Sequence, residues 1–367
     1  AEAGRSFSNV LRARRTFGEN SFVGATLTDR RLFDGGYGSL GSLDVKWQLL
    51  TNYRLEAQLA LSSTQEPTGL AVSEENDTTT FADGAHTAAL DGERFAGDGV
   101  FLSFDRNARH WNFDLAYESY SPTFRTANGF VTGNDFRRLR LWQGILFYPE
   151  WWIFERIEPA MFARTAYDFS GTKQEDYVRA QVWSRLKGQT NAFMSYGMKR
   201  ERFKGVMFER LPTWNVELSS RFSDVFSGGI YVGGGQSIYR DGEPEKGRRQ
   251  DVSAWAAIKP FQRFIIQPSF DYSELRDLET NEAFFSGYIV RTKFGFQFTR
   301  ELSLRLVTQY NDFNETLDIE PLLQYQINPF TVFYVGSTHD YHRFEQPYGW
   351  TSSQRQFFFK FQYLFRV

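Results

Sequence analysis

Cysteine is absent from all 367 residues. That excludes a disulfide scaffold, a cysteine nucleophile and thiolate metal sites. Histidine is scarce, with four residues in the whole chain. No run of about 18 apolar residues occurs, so a transmembrane helix is excluded. The opening "AEAGRSFSNV" has no apolar core of signal-peptide type and reads as processed or internal. A surplus of one charge is missing too: 42 basic side chains face 44 acidic ones, for a net charge of -2. No strong polyelectrolyte partner is implied, and nucleic-acid binding is not expected.

Aromatic residues are abundant. Phe, Tyr and Trp make up 18% of the chain, alongside 30 glycines, a composition that favours strands and turns over helices. Alternation at period two runs almost from end to end. In "YRLEAQLAL", Tyr53, Leu55, Ala57, Leu59 and Leu61 share one face, while Arg54, Glu56 and Gln58 share the other. "HWNFDLAYE", "TWNVELSSRF", "YIVRTKFGFQFT" and "LSLRLVTQY" repeat the pattern. The chain ends on "QRQFFFKFQYLFRV", where Phe357, Phe359, Phe361, Tyr363, Phe365 and Val367 occupy every second position.

Roughly nineteen such segments occur, many of ten residues or more, whereas strands of soluble sandwiches usually run five or six. Strands of ~9–11 tilted residues are what a bilayer demands of a barrel wall. The mean hydropathy of -0.47 then has a simple cause, because only alternate side chains meet lipid. Connections also alternate in length. Short ones fall at 18–20, 51–52, 106–109, 149–152, 187–190, 224, 261–263, 299–301 and 328–329; long ones fall at 64–97, 120–135, 201–211, 239–249 and 339–353. Outer-membrane barrels have short periplasmic turns and longer external loops. The sequence predicts an all-β fold: one transmembrane antiparallel β-barrel of roughly 18–22 strands, spanning 1–367 in the bacterial outer membrane. The first and last segments run in the same direction, so an odd count would force a parallel seam. The chain is therefore read as the C-terminal part of a longer gene product, with one or more strands upstream or another segment completing the wall.

Two stretches carry a family resemblance. "NVLRARRTFGENSFVGATLTDR" (9–30) and "YESYSPTFRTANGFVTGNDFRRLRLW" (117–142) resemble markers of a domain-of-unknown-function family of Gram-negative outer-membrane barrel proteins. The likeness extends more weakly through "GSLDVKW" to the terminal strand. In that family a carbohydrate-binding-like domain usually precedes the barrel and further strands lie upstream of the first hairpin; the 367 residues do not include that domain. The resemblance implies fold and location, and brings no catalytic residues with it.

The faces opposite the apolar comb carry both signs of charge. Lys46, Arg54, Arg221, Arg291, Lys293, Arg305, Lys360 and Arg366 stand against Asp44, Glu56, Asp114, Glu118, Glu217, Asp271 and Glu320. Such residues line a pore and bias which solutes enter, or form cross-strand pairs worth about 0.2–1 kcal/mol each. Mixed signs argue against strong selection for one ion charge. Tyr148, Trp151 and Trp152 read as interfacial anchors, since their rings are apolar at one end and hydrogen-bonding at the other. The terminal comb reads as the lipid-facing strand that the barrel assembly machinery recognises.

Other constellations carry less. The spacing of His339, Asp340 and His342 suits no well-defined metal motif, and no metal or other cofactor is expected. Ser337, His339 and Asp340 have no nucleophile elbow, so no enzyme is expected. "GGIYVGGGQ" (228–236) precedes no helix; its glycines suit curvature, a bulge or close approach. The acidic segment 64–97 suits an external lid, a lumenal constriction, weak Ca²⁺ binding or a solvated loop, the last being preferred. The expected function is a pore or transport channel for a small solute, with oligosaccharide or peptide as candidates. The alternative is a barrel scaffold that anchors a surface or periplasmic domain or joins a larger envelope protein complex. Partners expected on either reading are outer-membrane lipid and the assembly machinery.

Overall fold

The computed structural model describes residues 5–33, 35–68, 79–149, 152–345 and 347–365. Its strands, in chain order, are β1 (Ser6–Phe17), β2 (Ser21–Leu32), β3 (Tyr37–Leu49), β4 (Tyr53–Gln65), β5 (Thr80–Phe81), β6 (His86–Thr87), β7 (Arg94–Arg106), β8 (Trp111–Tyr120) and β9 (Phe136–Ile145). They continue with β10 (Phe154–Tyr167), β11 (Lys173–Leu186), β12 (Thr190–Phe203), β13 (Val206–Ser220), β14 (Phe226–Tyr239), β15 (Glu245–Phe261) and β16 (Phe264–Asp277). The last are β17 (Ala283–Gln297), β18 (Leu302–Asn311), β19 (Thr316–Asn328), β20 (Thr331–Phe344) and β21 (Gly349–Tyr363). No helix occurs among the described residues. Nineteen strands join in one sheet, and β5 and β6 form a separate small hairpin.

The chain divides into two compact units. One comprises Ala1–Phe147, Pro159–Ala180 and Met198–Arg210; the other comprises Tyr148–Glu158, Gln181–Gly197 and Leu211–Val367. In the first, antiparallel ladders link β1 to β2, β2 to β3, β3 to β4, β4 to β7, β7 to β8 and β8 to β9. The register explains why period two reads so clearly. One row runs Val23, Val45, Ala57, Leu102, Tyr117 and Leu139; the row beside it, on the opposite face, runs Gly24, Asp44, Gln58, Phe101, Glu118 and Arg138. A pleated ribbon sends successive side chains to opposite faces, so each strand contributes one residue type to each row.

The apolar rows are uncovered. Leu27, Leu43 and Leu61 are each about three-fifths exposed (58%, 62% and 58%), far too many large apolar groups for a face that meets water. Polar positions across the sheet are better enclosed: Ser42, Ser62 and Ser103 are buried. This inversion of the soluble pattern is the signature of a wall whose outer solvent is hydrocarbon.

The second unit repeats the arrangement from β14 to β21. In its glycine-rich strand β14, Gly235 takes φ +137° at the end of the β13–β14 register, and a Cβ there would stand 2.0 Å from Pro212 O, a close approach that only glycine allows. Rings of Tyr231, Trp255 and Trp214 lie where Cβ atoms of Gly233, Gly229 and Gly234 would stand, so neighbouring aromatics cover the bare backbone. Phe357, Phe359, Phe361 and Tyr363 all face outward, Phe359 at 65% exposure, and the Phe333 ring packs 4.8 Å from Phe361. Phe365 lies just beyond the strand against Tyr363, while Arg366 and Val367 fall outside the described residues.

Every residue of β1 is exposed, as is nearly every residue of β21. Of the two, β1 pairs antiparallel with β2, and β21 with β20.

Strand ends differ from expectation. Segments 201–211, 239–249 and 339–353, expected as loops, are largely strand. The tightest of these turns is Lys204–Gly205, both at positive φ. Strands run to 17 residues in β15, beyond the ~9–11 a bilayer needs. Past the hydrocarbon both faces meet water, so alternation fades while the hydrogen-bond ladder continues. Connections 64–97 and 120–135 do interrupt the sheet.

Candidate functional site

The polar face of the first unit is a mesh of paired charges. Arg54 donates to Asp105 at 2.8 Å and lies 3.3 Å from Glu56, which also faces Lys46 at 3.8 Å. Arg12 makes two hydrogen bonds of 2.7 Å to Asp44. Asp114 pairs with Arg140 at 3.2 Å and Glu118 with Arg138 at 3.7 Å. Further along, Glu175 holds Arg164 and Lys199 on this face, while Asp176, the next residue of β11, holds Arg200 on the opposite one. Charges on a face flanked by a low-dielectric wall are stabilised by such neighbours more than in open water.

The second unit differs. By register Glu217, Asp271, Arg291, Lys293, Arg305, Glu320 and Lys360 all lie on its polar face. Among the described residues none of these seven makes an ion pair, though Lys360 Nζ lies 5.8 Å from the Tyr334 ring centroid. Arg221 requires a correction. It lies one residue past β13, in the turn, and pairs with Asp224 at 2.6 Å, so it is not on the strand face. Tyr148 and Trp152 are exposed in the connection between β9 and β10, Trp152 edge-on to Phe154 at 5.7 Å; Trp151 lies outside the described residues.

The connection 121–135 returns to the polar face instead of projecting away. Ser121 N–H donates to Asp98 O at 2.9 Å, and Asp98 N–H donates back to Ser121 Oγ at 2.8 Å. Thr123 Oγ1 donates to Ala96 O at 2.6 Å, Arg125 N–H to Ser62 Oγ at 3.2 Å, and Arg30 to Ala127 O at 3.2 Å. Glycines make the approach possible. A Cβ on Gly97 would stand 2.4 Å from Phe124 Cα and N, and one on Gly38 would stand 2.4 Å from Ala127 Cβ. Nothing in the spacing of those glycines distinguishes them from ordinary strand glycines, which is why sequence reasoning passed over them.

A second layer covers this loop. The β5–β6 hairpin belongs to the acidic connection, whose residues 69–78 lie outside the described set. Phe81 stacks on His86 at 5.3 Å, and Phe95 meets Phe81 edge-on at 5.6 Å. The Arg125 guanidinium sits 4.8 Å from the Phe81 centroid and 5.2 Å from that of Phe95, a cation–π cage. His86 Nδ1 bonds Glu93 at 3.0 Å. Glu66 has a buried Oε2 without a hydrogen-bond partner. Burial pushes its carboxyl above the usual carboxylate range, Asp91 and Glu93 add to the rise, and Arg125 and His86 oppose it. Burial likewise lowers Arg125, against the pull of Glu66. The acidic segment is thus partly a packed lid rather than only a solvated loop.

Between wall and loop lies a cavity of about 250 Å³, bounded by β2, β3, β4, β7, β8 and residues 124–131. Beside it a cavity of about 400 Å³ is lined by Arg12, Asp44, Lys46 and Glu56. No group of three or more metal-ligating side chains forms among the described residues. Ser337 Oγ and His339 Nε2 are 2.9 Å apart on β20, but Asp340 follows directly along the strand and points to the other face, opposite Asp318 and Gln354. The alternation that builds the sheet therefore separates the three groups a hydrolase would need together.

No protein-family model matches the chain, and no curated protein sequence matches it. Solved structures do. The siderophore receptor PirA from Acinetobacter baumannii aligns at 9% identity with a TM-score of 0.55, over 92% of this chain and 65% of that one. PirA from Pseudomonas aeruginosa aligns at 10% identity and 0.56, over 92% and 67%. A point mutant of the ferric enterobactin receptor PfeA, also from Pseudomonas aeruginosa, aligns at 7% identity and 0.57, over 92% and 65%. The chain thus spans about 65% of the length of the first of these receptors. Such identities speak to fold alone. An antiparallel sheet with an uncovered apolar face and a charged opposite face, matched to these receptors over nine-tenths of its length, is an outer-membrane β-barrel fold, and its place is the Gram-negative outer membrane.

Proposed function

We propose that the chain forms the wall of an outer-membrane pore through which a small solute passes along the polar face. The observation that carries this reading is the division of the sheet: ion-paired and hydroxyl-bearing rows on one side, bare Leu, Val and Phe rows on the other. A barrel serving only as an anchor needs the apolar rows but gains nothing from a wet, charged interior. Likeness to barrels named as siderophore receptors supports solute passage. Loop 121–135, lying on the polar face, would narrow the route and choose what fits. Oligosaccharide and peptide are the candidate solutes.

An unpaired N–H or C=O facing hydrocarbon costs several kcal/mol, so a wall at membrane depth must be closed by strand pairing. The aromatic comb of β21 supports recognition by the barrel assembly machinery. No catalytic step is part of this function.

Conductance of the full-length protein in planar bilayers tests the proposal. Stable openings that grow when residues 123–132 are deleted support it. A silent bilayer, with envelope proteins co-purifying, refutes it in favour of a scaffold within a larger complex.

A further inference from the structure

We infer that the cavity beneath loop 121–135 is a subsite for one ring of a neutral, polyhydroxylated solute, a hexose unit of an oligosaccharide. The inference deepens the pore reading, and rests on it for the solute's route but not for the binding itself.

Charge is the first observation. No charged side chain lines this cavity, although the adjoining one on the same face is lined by four. An ion moved into such a space would lose hydration without gaining a partner. Arg12 does reach Thr26 at its edge, but Asp44 engages that guanidinium through two hydrogen bonds. Peptide termini and anionic chelates are therefore disfavoured, and an uncharged ligand is not.

Hydrogen-bonding capacity is the second. Thr28, Ser42, Gln58 and Asn128 line the cavity, and among the described residues none of their side chains has a hydrogen-bond partner. The Asn128 Nδ2 is buried outright with its donors unused. Natural structures rarely leave such groups unsatisfied without water or a ligand to take them. Hydroxyls both donate and accept, and amides offer one donor side and one acceptor side. Sugar hydroxyls present the same mixture.

The third is apolar surface set between those groups. Phe101, Tyr120 and Phe124 complete the lining, and the last two stack at 5.2 Å. A pyranose has C–H faces that pack on such rings while its rim of hydroxyls meets the polar groups. Drug-sized ligands occupy pockets of ~300–1,000 Å³; a cavity of about 250 Å³ suits a single ring, with the rest of a chain extending along the polar face.

The test is calorimetric titration of detergent-solubilised full-length protein with maltotriose, cellotriose and chitotriose, and separately with trialanine and ferric enterobactin. At least one trisaccharide is expected to bind. Asn128→Ala and Gln58→Leu should each weaken it by about tenfold or more, since a site that hydrogen-bonds its ligand discriminates steeply. Neither variant removes a bond from the protein, so the fold is not at stake; near-native circular dichroism and detergent-gel mobility confirm that. Failure of all three sugars to bind the wild type overturns the inference. So does sugar binding that both variants leave unchanged, or binding of trialanine or ferric enterobactin that either variant weakens. Sugar binding by a barrel that never conducts would sustain the subsite while sinking the pore reading, and a conducting barrel blind to all three sugars would do the reverse.

Discussion

Replacing Gly97 by alanine should lift loop 121–135 off the wall. The added Cβ would lie 2.4 Å from two backbone atoms of Phe124 and 2.6 Å from Thr123 C, where ordinary contact begins at 3.4 Å. Backbone cannot swing aside as a side-chain tip can, so the loop must rise by roughly 1 Å. That displacement breaks the 2.6 Å bond from Thr123 to Ala96 and the 3.2 Å bonds from Arg125 to Ser62 and from Arg30 to Ala127. At about 1 kcal/mol net for each hydrogen bond, the loop loses about 3 kcal/mol of closure. That corresponds to exposure of the underlying surface on the order of a hundredfold more often. Ala60 reports on it, being buried beneath the loop. In a chain without cysteine, Ala60→Cys supplies a single thiol whose alkylation rate reads loop opening directly. Gly133→Ala is the control, because nothing lies within 4 Å of its Cβ position. Equal labelling of Ala60→Cys with and without Gly97→Ala would refute the claim that close backbone contact holds the loop.

Other expectations follow from the same geometry. Leu59→Arg places a charge on the uncovered apolar face, at a cost of ~2–4 kcal/mol near the bilayer midplane; Gln309→Arg, on the polar face beside Asp318, should cost far less. Urea unfolding in lipid vesicles measures both. Glu66, raised above the usual carboxylate range by burial, holds its proton more tightly folded than unfolded. Packing of the β5–β6 lid is therefore strongest at acid pH, and weakens as pH rises from the ordinary carboxylate value through the raised one. Hydrogen exchange over residues 79–97 should show this slope in the wild type and lose it in Glu66→Gln. Phe361→Ser removes a ring packed on Phe333 and an element of the terminal comb; a lower yield of heat-modifiable, folded barrel on detergent gels is the expected result, and an unchanged yield would count against recognition through the comb.

Much of the wall was legible because a pleated strand writes its environment into alternate letters. Leu55, Leu59 and Leu61 declare one face, and Arg54, Glu56 and Gln58 the other, whatever the neighbouring strands do. The script blurs where both faces meet water. Lys199, Arg200, Glu201 and Arg202 look like a solvated loop, yet they belong to β12, where the ladder costs nothing to continue and Lys199 pairs with Glu175 and Glu201. Arg221 kept the right parity and still missed the face, since one residue separates it from the end of β13. Loop 121–135 was recognised as a loop but not as one folded inward. Its docking depends on Gly38, Gly97 and Gly99 lying beneath it, a coincidence of separate strands that no local window can display.

The length of the strands has a last implication. A ladder such as β15 to β16 continues well past the reach of acyl chains, so part of the outward surface is a stiff parapet and not a fringe of mobile loops. Antibodies or phage adhesins that grip it would read shape held by backbone hydrogen bonds. Their attachment should vanish on boiling, when every linear peptide of the same stretch is still intact.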